Sequence, residues 1–489
     1  MDETVSAASA LRLDGETRRA LWARVADEIE GYLAGVGGLP VRPGRDEDEM
    51  LRRLGEIDFA RPLAPEDAVG FVADGLARWQ MQCGHPRYFG LFNPPSSTMG
   101  IAADALAAGF NMQVGAWHHS PLGVAIERRL VRELGARFGF DAAAVDGTFT
   151  SGGNEANHTA VISALAAIFP AFRQAGVRAL DGDPVLYASA EAHHSFVKAA
   201  RACGLGDRAV RHVPVDDGLR MIPAALERMI HDDRAAGHLP FLAVATAGTT
   251  SAAAIDPIHA VADVARREGL WLHVDAAWGG AAALVPELAP LLDGTARADS
   301  LTFDAHKWLS VPMGAGLFLT RHPGALTAAF HLETAYVPRG EESLERPDYY
   351  VRSLQWSRRA IGLKLFMTLA VAGWDGYAAA LRHQVAMGAL LREELRGSGW
   401  TVVNDTPLPI VCFTDGRPAD GADGGDGADA ARLEGICAHV VSSGRAWIST
   451  TRLTGIGPVL RACITSFETG PEDVRTLVEA LEEGRRAVR

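Results

Sequence analysis

Residues 299–316 read Asp-Ser-Leu-Thr-Phe-Asp-Ala-His-Lys-Trp-Leu-Ser-Val-Pro-Met-Gly-Ala-Gly. The apolar run from Leu301 to Phe303 predicts a short buried strand, and the polar triplet Asp304, Ala305 and His306 ends it. Lys307 follows directly, before an aromatic residue and a Gly-rich turn. The chain holds only three lysines, Lys198, Lys307 and Lys364, and fills its other basic positions with arginine. A surface lysine after a strand would here be expected as arginine. A lysine kept beside a histidine, just past a buried strand end, suits a Schiff base with an aldehyde cofactor.

Outward from this stretch the pattern is α/β from about residue 124. A helix over 124–138 leads to a strand ending in Gly-Thr-Phe-Thr-Ser-Gly-Gly-Asn-Glu-Ala-Asn, residues 147–157, a Gly-rich turn that opens a helix. Further strands are predicted over 184–188, 241–245, 270–274, 300–303 and 315–320, with helices over 195–202 and 258–268 between them. Strands alternating with helices imply a mainly parallel sheet covered on both faces. The polar residues gather after strand carboxyl ends, where open α/β sheets bind ligands. Residues 358–371 and 377–395 read as two amphipathic helices. Strand, strand, helix, strand, strand and helix then follow to the end, a small α+β unit. Inside it, 415–431 is Gly/Asp/Ala-rich and predicts a flexible loop. Its resemblance to a calcium loop lacks the spaced ligands and the closing glutamate. The organisation expected is a helical segment over 1–84 serving as a dimer arm, a large α/β domain over 85–375, and a small domain over 376–489.

At 489 residues the chain accommodates two or three domains. A net charge of −13 and a pI near 5.7 argue against nucleic acid, whose backbone requires a basic surface. Five scattered cysteines without CxxC pairing read as reduced thiols in a cytoplasm, with no zinc site and no disulfide framework. The acidic N-terminus has no signal segment, and no apolar run reaches membrane-spanning length. Near the N-terminus, Leu21, Val25, Ile29 and Leu33 recur every fourth residue on a helix over 15–34, and a second helix is expected over 46–54. That stripe must be covered either by the chain's own body or by a second copy.

Residues 85–127 bring Tyr88, Phe89, Phe92 and Trp117 into two loops beside Pro and Ser, with a helix over 99–110 between them. These aromatics either wall a substrate pocket or form ordinary core under a loop. His118 and His119 are adjacent on an extended segment, so their side chains point apart and do not make a metal pair.

Pyridoxal phosphate on Lys307 would need four things from the protein. Its phosphate needs N–H groups at a helix N-terminus, which the turn with Gly153 and Asn154 offers. Its pyridine nitrogen stays protonated only opposite a buried carboxylate, and Asp275 follows the Trp-Leu-His-Val strand directly. Its ring needs a stacking partner, for which His193 is a candidate, and a small residue on the other face, for which Ala277 serves. The reaction needs a proton donor, and Tyr336 lies in a long polar loop suited to act as a lid.

The motifs Thr-Ser-Gly-Gly-Asn-Glu-Ala, Ala-His-His-Ser, Ala-Thr-Ala-Gly-Thr-Thr, His-Val-Asp-Ala-Ala-Trp-Gly-Gly and Asp-Ala-His-Lys-Trp together resemble the pyridoxal-phosphate-dependent group II decarboxylases. That family includes aromatic-L-amino-acid, histidine and glutamate decarboxylases. The resemblance runs from about His85 to the C-terminus. It implies the fold-type I transferase fold, with a mainly parallel seven-stranded sheet, and a homodimer whose active site is shared between subunits. It makes Lys307 the Schiff-base lysine, His193 the stacking histidine, Asp275 the partner of the pyridine nitrogen and Ala277 the residue beneath the ring. It puts Thr246 near the ring oxygen or the substrate, and Gly153, Asn154 and His306 around the phosphate. Tyr336 falls at the mobile-loop tyrosine of the decarboxylases. Members with phenylalanine there tend to release an aldehyde, whereas tyrosine favours simple amine release. One departure stands out: Asp304-Ala305 replaces the commoner Asn-Pro before His-Lys, and Asp304 is expected to turn away from the phosphate toward an arginine.

The function expected is decarboxylation of an L-amino acid to the amine and CO2. Tyr88, Phe89, Phe92 and Trp117 favour an aromatic or bulky apolar side chain, whereas His118 and His119 would suit a polar or acidic one. The alternatives are decarboxylation-coupled oxidative deamination or transamination on the same fold, and a non-catalytic module that keeps the fold.

Overall fold

The computed structural model describes residues 11–44, 46–333, 343–416 and 426–488. Seven strands form the main sheet: β1 (Asp146–Thr150), β2 (Pro184–Ser189), β3 (Val210–Val213), β4 (Leu239–Thr246), β5 (Trp271–Asp275), β6 (Ser300–Asp304) and β7 (Gly316–Thr320). Their order is β1-β7-β6-β5-β4-β2-β3, with β7 antiparallel to both neighbours and every other pair parallel. The central strands are buried along their whole length, as a sheet covered by helices on both faces requires. The register sets Thr246 beside Asp275 and Asp275 beside Thr302. The carboxyl ends of β4, β5 and β6 therefore stop at one level, with their polar residues at one rim. This is the mainly parallel, seven-stranded fold-type I architecture expected from the sequence.

β3 was not anticipated. It is a four-residue edge strand, Val-Arg-His-Val, with His212 exposed, so neither an apolar run nor a clean alternation marks it. The two helices expected over 358–371 and 377–395 are both present within Gly362–Gly397, separated by a kink at Gly373, where φ is +66°. Only glycine takes that conformation without strain, so Gly373 marks the break between the two amphipathic patterns. The helices Pro65–Trp79 and Pro223–Ala235, both opened by a proline in the first turn, were also not anticipated.

A second, antiparallel sheet follows, with β8 (Thr401–Val402), β9 (Ile410–Thr414), β10 (Ser449–Leu453) and β11 (Gly457–Cys463) in the order β10-β11-β9-β8. The helices Asp426–Ser442 and Pro471–Ala487 pack on it around Leu433, Ile436, Phe413, Leu460 and Leu477. The expected loop over 415–431 is shorter than predicted. Residues 417–425 lie outside the described residues, and the helix begins at Asp426. Asp415 is held by Arg432 and by Arg485, whose Nε is 3.1 Å away.

The N-terminal helices Gly15–Gly35, Glu47–Gly55 and Pro65–Trp79 contain no buried residue. Along the predicted stripe Leu21, Val25 and Leu33 are half-buried and Ile29 is exposed. Trp22 is 65% exposed and Phe59 97%. The described residues of one chain do not cover this apolar surface. No helix among the described residues is long and apolar enough to cross a membrane.

Candidate active site

Lys307, the turn at Gly152 and Gly153, His193 and Asp275 line one cavity of about 270 Å³ at the carboxyl rim of the sheet. The strand ends bring them together. β1 feeds the turn, β2 leads to His193, β5 ends on Asp275, and β6 ends on Asp304 before His306 and Lys307.

The turn opens the helix Gly153–Ile168, whose first residues, Gly153 and Asn154, line the cavity. Glycine is required there, because a Cβ on Gly153 would lie 2.7 Å from Asp304 Oδ2 and 3.2 Å from the Ala277 Cβ. Behind the turn, Arg358 and Glu127 make a buried ion pair at 3.1 Å, and Arg358 also donates to the carbonyl of Phe149. Breaking such a pair from one side costs about 3–5 kcal/mol, so the strand carrying the turn is firmly braced.

Asp275 is buried and fully partnered. Its Oδ2 accepts from Asn157 Nδ2 at 2.8 Å and its Oδ1 from the Ala277 N–H at 3.1 Å. Asn157 Nδ2 also donates to Ser195 Oγ at 2.9 Å, and its Oδ1 faces His273 Nε2 at 3.1 Å. His273 Nδ1 lies 2.8 Å from Ser300 Oγ, which accepts from Trp271 Nε1 at 2.8 Å. Complete burial pushes His273 down to about 4, so it is neutral near pH 7. The tautomer with the proton on Nε2 then satisfies every link from Trp271 to Asp275.

His193 Nδ1 accepts from the Ser195 N–H at 3.2 Å, which leaves Nε2 as the free edge. The ring is open on the cleft side but crowded elsewhere, and burial lowers its pKa against the opposing pull of Asp275. His306 Nδ1 accepts from the Ala315 N–H at 3.1 Å, and burial likewise holds it neutral. Thr246 lines the cavity with a buried Oγ1 that has no hydrogen-bond partner. Lys307 Nζ lies 3.0 Å from Asp304 Oδ2 and 5.4 Å from the centre of the Phe92 ring. Asp304 therefore does not turn away to an arginine as expected. Gly153 of the turn and Gly316 of β7 lie against it, and among the described residues Lys307 is the cation paired with it.

The aromatic residues separate. Phe92 stands at the site and stacks on Trp278 at 5.1 Å, which stacks on Trp308 at 4.9 Å. Tyr88 stacks on Trp447 at 5.2 Å, and Phe89 is wholly buried among the residues of the second sheet. Trp117 is half-buried, its backbone N–H donating to Asp348 Oδ1 at 2.8 Å. His118 is exposed against His119. Within one chain neither Trp117 nor His118 lines the Lys307 cavity. Tyr336 lies outside the described residues.

Sequence reasoning missed Asn157 and Arg461. Arg461 sits in β11, buried, with Nε donating to the Thr250 carbonyl at 3.0 Å and Nη1 to the Gly90 carbonyl at 2.8 Å. Its Cζ lies 5.2 Å from the Phe92 ring centre, and its buried Nη2 has no partner. An arginine inside the apolar run Val-Leu-Arg-Ala-Cys was the available signal.

Comparison with known proteins agrees with this geometry. Residues 65–415 match the family described as the pyridoxal-dependent decarboxylase conserved domain, and the chain belongs to that family. It is 33% identical over 422 residues to a tyrosine decarboxylase of Oryza sativa subsp. japonica, covering 83% of this chain and 78% of the relative. It is 32% identical over 373 residues to the cysteine sulfinic acid decarboxylase of Rattus norvegicus, covering 75% of this chain and 74% of the relative. A crystal structure of Oryza sativa TDC with PLP and tryptamine superposes with a TM-score of 0.89 at 25% identity, over 97% of this chain and 99% of that one. The cofactor of the family is pyridoxal phosphate, and the residues present fit it. A cradle closed to any Cβ, a buried carboxylate, a lysine and an unpartnered hydroxyl converge on one cavity.

Proposed function

We propose that the chain removes the α-carboxylate of an L-amino acid as CO2 and releases the amine, with Lys307 as the residue that links pyridoxal phosphate. The observation that carries this is the convergence of Lys307, Asp275 and the Gly152 and Gly153 turn on one cavity. When bound, the cofactor supplies the electron sink for the pair left by CO2. Asp275 faces the pyridine nitrogen to keep its proton in place, and Asn157 and the Ala277 N–H fix the position of its carboxyl group in a buried site. Gly153, Asn154 and His306 take the phosphate at the helix N-terminus. His193 covers one ring face with its neutral imidazole, and Ala277 leaves room on the other. Thr246 offers its free hydroxyl toward the ring oxygen or the substrate. Tyr336 delivers the proton to Cα, which favours amine over aldehyde.

Phe92, stacked on Trp278 beside Lys307, supports an aromatic or bulky apolar substrate, as does the likeness to a tyrosine decarboxylase. A second candidate rests on Arg461: its unpartnered Nη2 beside Phe92 would suit an acidic side chain, in keeping with the likeness to a cysteine sulfinic acid decarboxylase. A homodimer with a shared site is supported by the uncovered apolar surface around Trp22 and Phe59. It would also give Trp117 and His118 a cavity to serve on the second chain. A monomer by sedimentation at micromolar concentration contradicts this.

Purified protein with added pyridoxal phosphate is to be offered aromatic and acidic L-amino acids, scoring amine, CO2, aldehyde, ammonia and peroxide. Amine and CO2 in equal amounts from an aromatic substrate is the result expected. Stoichiometric aldehyde and peroxide without amine, or no turnover of any amino acid, overturns it.

A further inference from the structure

Of the three lysines, Lys198 is exposed, Lys307 stands in the cavity, and Lys364 is buried on the helix Gly362–Gly397, only 5% exposed. Lys364 lies outside the lining of the Lys307 cavity. Its Nζ donates to the carbonyls of Met313 at 2.9 Å and Pro312 at 3.2 Å, and lies 3.3 Å from Asp104 Oδ2. An ammonium has three N–H donors, and the three acceptors match that number. Neutralising Asp104 does not by itself call for a lysine, because Arg359 Nη2 stands 3.6 Å from its other oxygen. A chain that writes arginine at nearly every other basic position keeps a compact ammonium here. A planar guanidinium fork is the wrong shape to meet two successive carbonyls and a carboxylate at one point.

Pro312 and Met313 form the tip of the excursion that begins at Lys307. Its base is closed where the Ala305 N–H donates to the Ala315 carbonyl at 2.8 Å and the Ala315 N–H to His306 Nδ1 at 3.1 Å. Between these points the backbone turns through Ser310 at φ +54° and Gly314 at φ +83°. Ser310 thus sits in a region that residues with a side chain rarely adopt. The carbonyls of such a turn have no ladder to join, so donors from outside must hold it. The Tyr377 hydroxyl donates to Leu309 at 3.1 Å, the Ser97 N–H to Ser310 at 2.7 Å, and Lys364 takes the two carbonyls at the tip. The Ser310 N–H in turn donates to the Lys307 carbonyl at 3.3 Å, which ties the held turn to the backbone of Lys307.

We propose that Lys364 is a positioning residue for Lys307. Its ammonium fixes the turn over 307–313, and the fixed turn presents the Lys307 amine to the cofactor aldehyde. In the linkage step the neutral amine nitrogen forms the C=N bond, its two hydrogens leave with the aldehyde oxygen as water, and no electrons are transferred. Lys364 itself touches neither cofactor nor substrate. This role rests on the assignment of Lys307 to the cofactor.

The test measures how fast the full-length, cofactor-stripped protein links pyridoxal phosphate, read by the growth of visible absorbance and by borohydride trapping on Lys307. Wild type is compared with Lys364→Arg, which keeps the charge beside Asp104 and so protects the fold, and with Lys364→Gln, which keeps a donor. Per folded molecule, both variants are expected to link the cofactor about tenfold more slowly, because a displaced nucleophile loses its pre-set orientation. In the loaded enzyme kcat is expected to fall while KM for the amino acid stays within about twofold, since Lys364 adds nothing to substrate binding. A lysine that only braced the fold would lower the melting temperature and leave the linkage rate of the folded protein unchanged. Linkage at the wild-type rate in either variant overturns the positioning role and leaves Lys307 as the cofactor lysine. Failure of wild type to trap the cofactor on Lys307 overturns both.

Discussion

The two walls of the Lys307 cavity are built on opposite principles. On the wall of Asp275, every polar group in the chain from Trp271 through Ser300, His273 and Asn157 has a partner, and the carboxylate has no freedom to move. Elsewhere at the site, polar atoms are buried without partners: Asp304 Oδ1 beside Lys307, Arg461 Nη2 beside Phe92 and Thr246 Oγ1 at the end of β4. A buried polar atom left alone costs about 1–3 kcal/mol, so a folded chain keeps few of them without return. The difference separates a pre-arranged support, finished before any ligand arrives, from a receiving face whose atoms are completed by what binds.

The largest effect is expected where the finished wall meets the chemistry. Asp275→Asn removes the charge that holds the pyridine proton but leaves the side-chain shape, so kcat is expected to fall about 100-fold or more while the fold persists. A variant with near-normal kcat would detach the finished wall from catalysis. Arg461→Met probes the receiving wall. If Nη2 receives a carboxylate, kcat/KM is expected to fall about 30-fold, the equivalent of about 2 kcal/mol for a buried charged contact. An unchanged kcat/KM for both aromatic and acidic amino acids would make Arg461 a strut between Thr250 and Gly90 only. The smallest effect concerns stability. His273 must stay neutral when folded but protonates near its ordinary pKa when unfolded, so its stabilisation is present above about pH 6.5 and is lost as pH falls toward about 4. Urea melts are expected to show about 2 kcal/mol lost between about pH 7 and about pH 5 from this group, and a shallower slope in His273→Gln. Equal slopes would mean that the finished wall tolerates a charge.

The strand scaffold and the residues at its rim were largely readable in the sequence, whereas Asn157 and the chain behind Asp275 were not. Strands buried in a parallel sheet must be apolar runs, and their ends carry polar residues because nothing else can stand at a rim. Hence Lys307, Asp275 and the Gly153 turn could be marked with no contact in view. β3 escaped because an edge strand with Arg211 and His212 has one flank free of the core. The receiving wall was legible only in part. Arg461 reaches the site from β11, and no local pattern reports which distant rim a strand will meet. Phe92, Tyr88 and Phe89 lie within five residues of one another in the sequence, yet only Phe92 faces Lys307. The loop path that parts them is set by packing against Trp278, Trp447 and the second sheet. Asp304 was recognised as unusual, but its partner was misjudged, because the reach of Lys307 back across the turn is a tertiary fact.

The central claim is that Lys307 carries the cofactor, and the scarcity of lysine allows a direct test. Protein loaded with pyridoxal phosphate, reduced with borohydride, digested and mapped by mass spectrometry is expected to carry the pyridoxyl label on Lys307 and to lose it in Lys307→Ala. A label on Lys198 or Lys364 instead, or no label at all, would contradict the account.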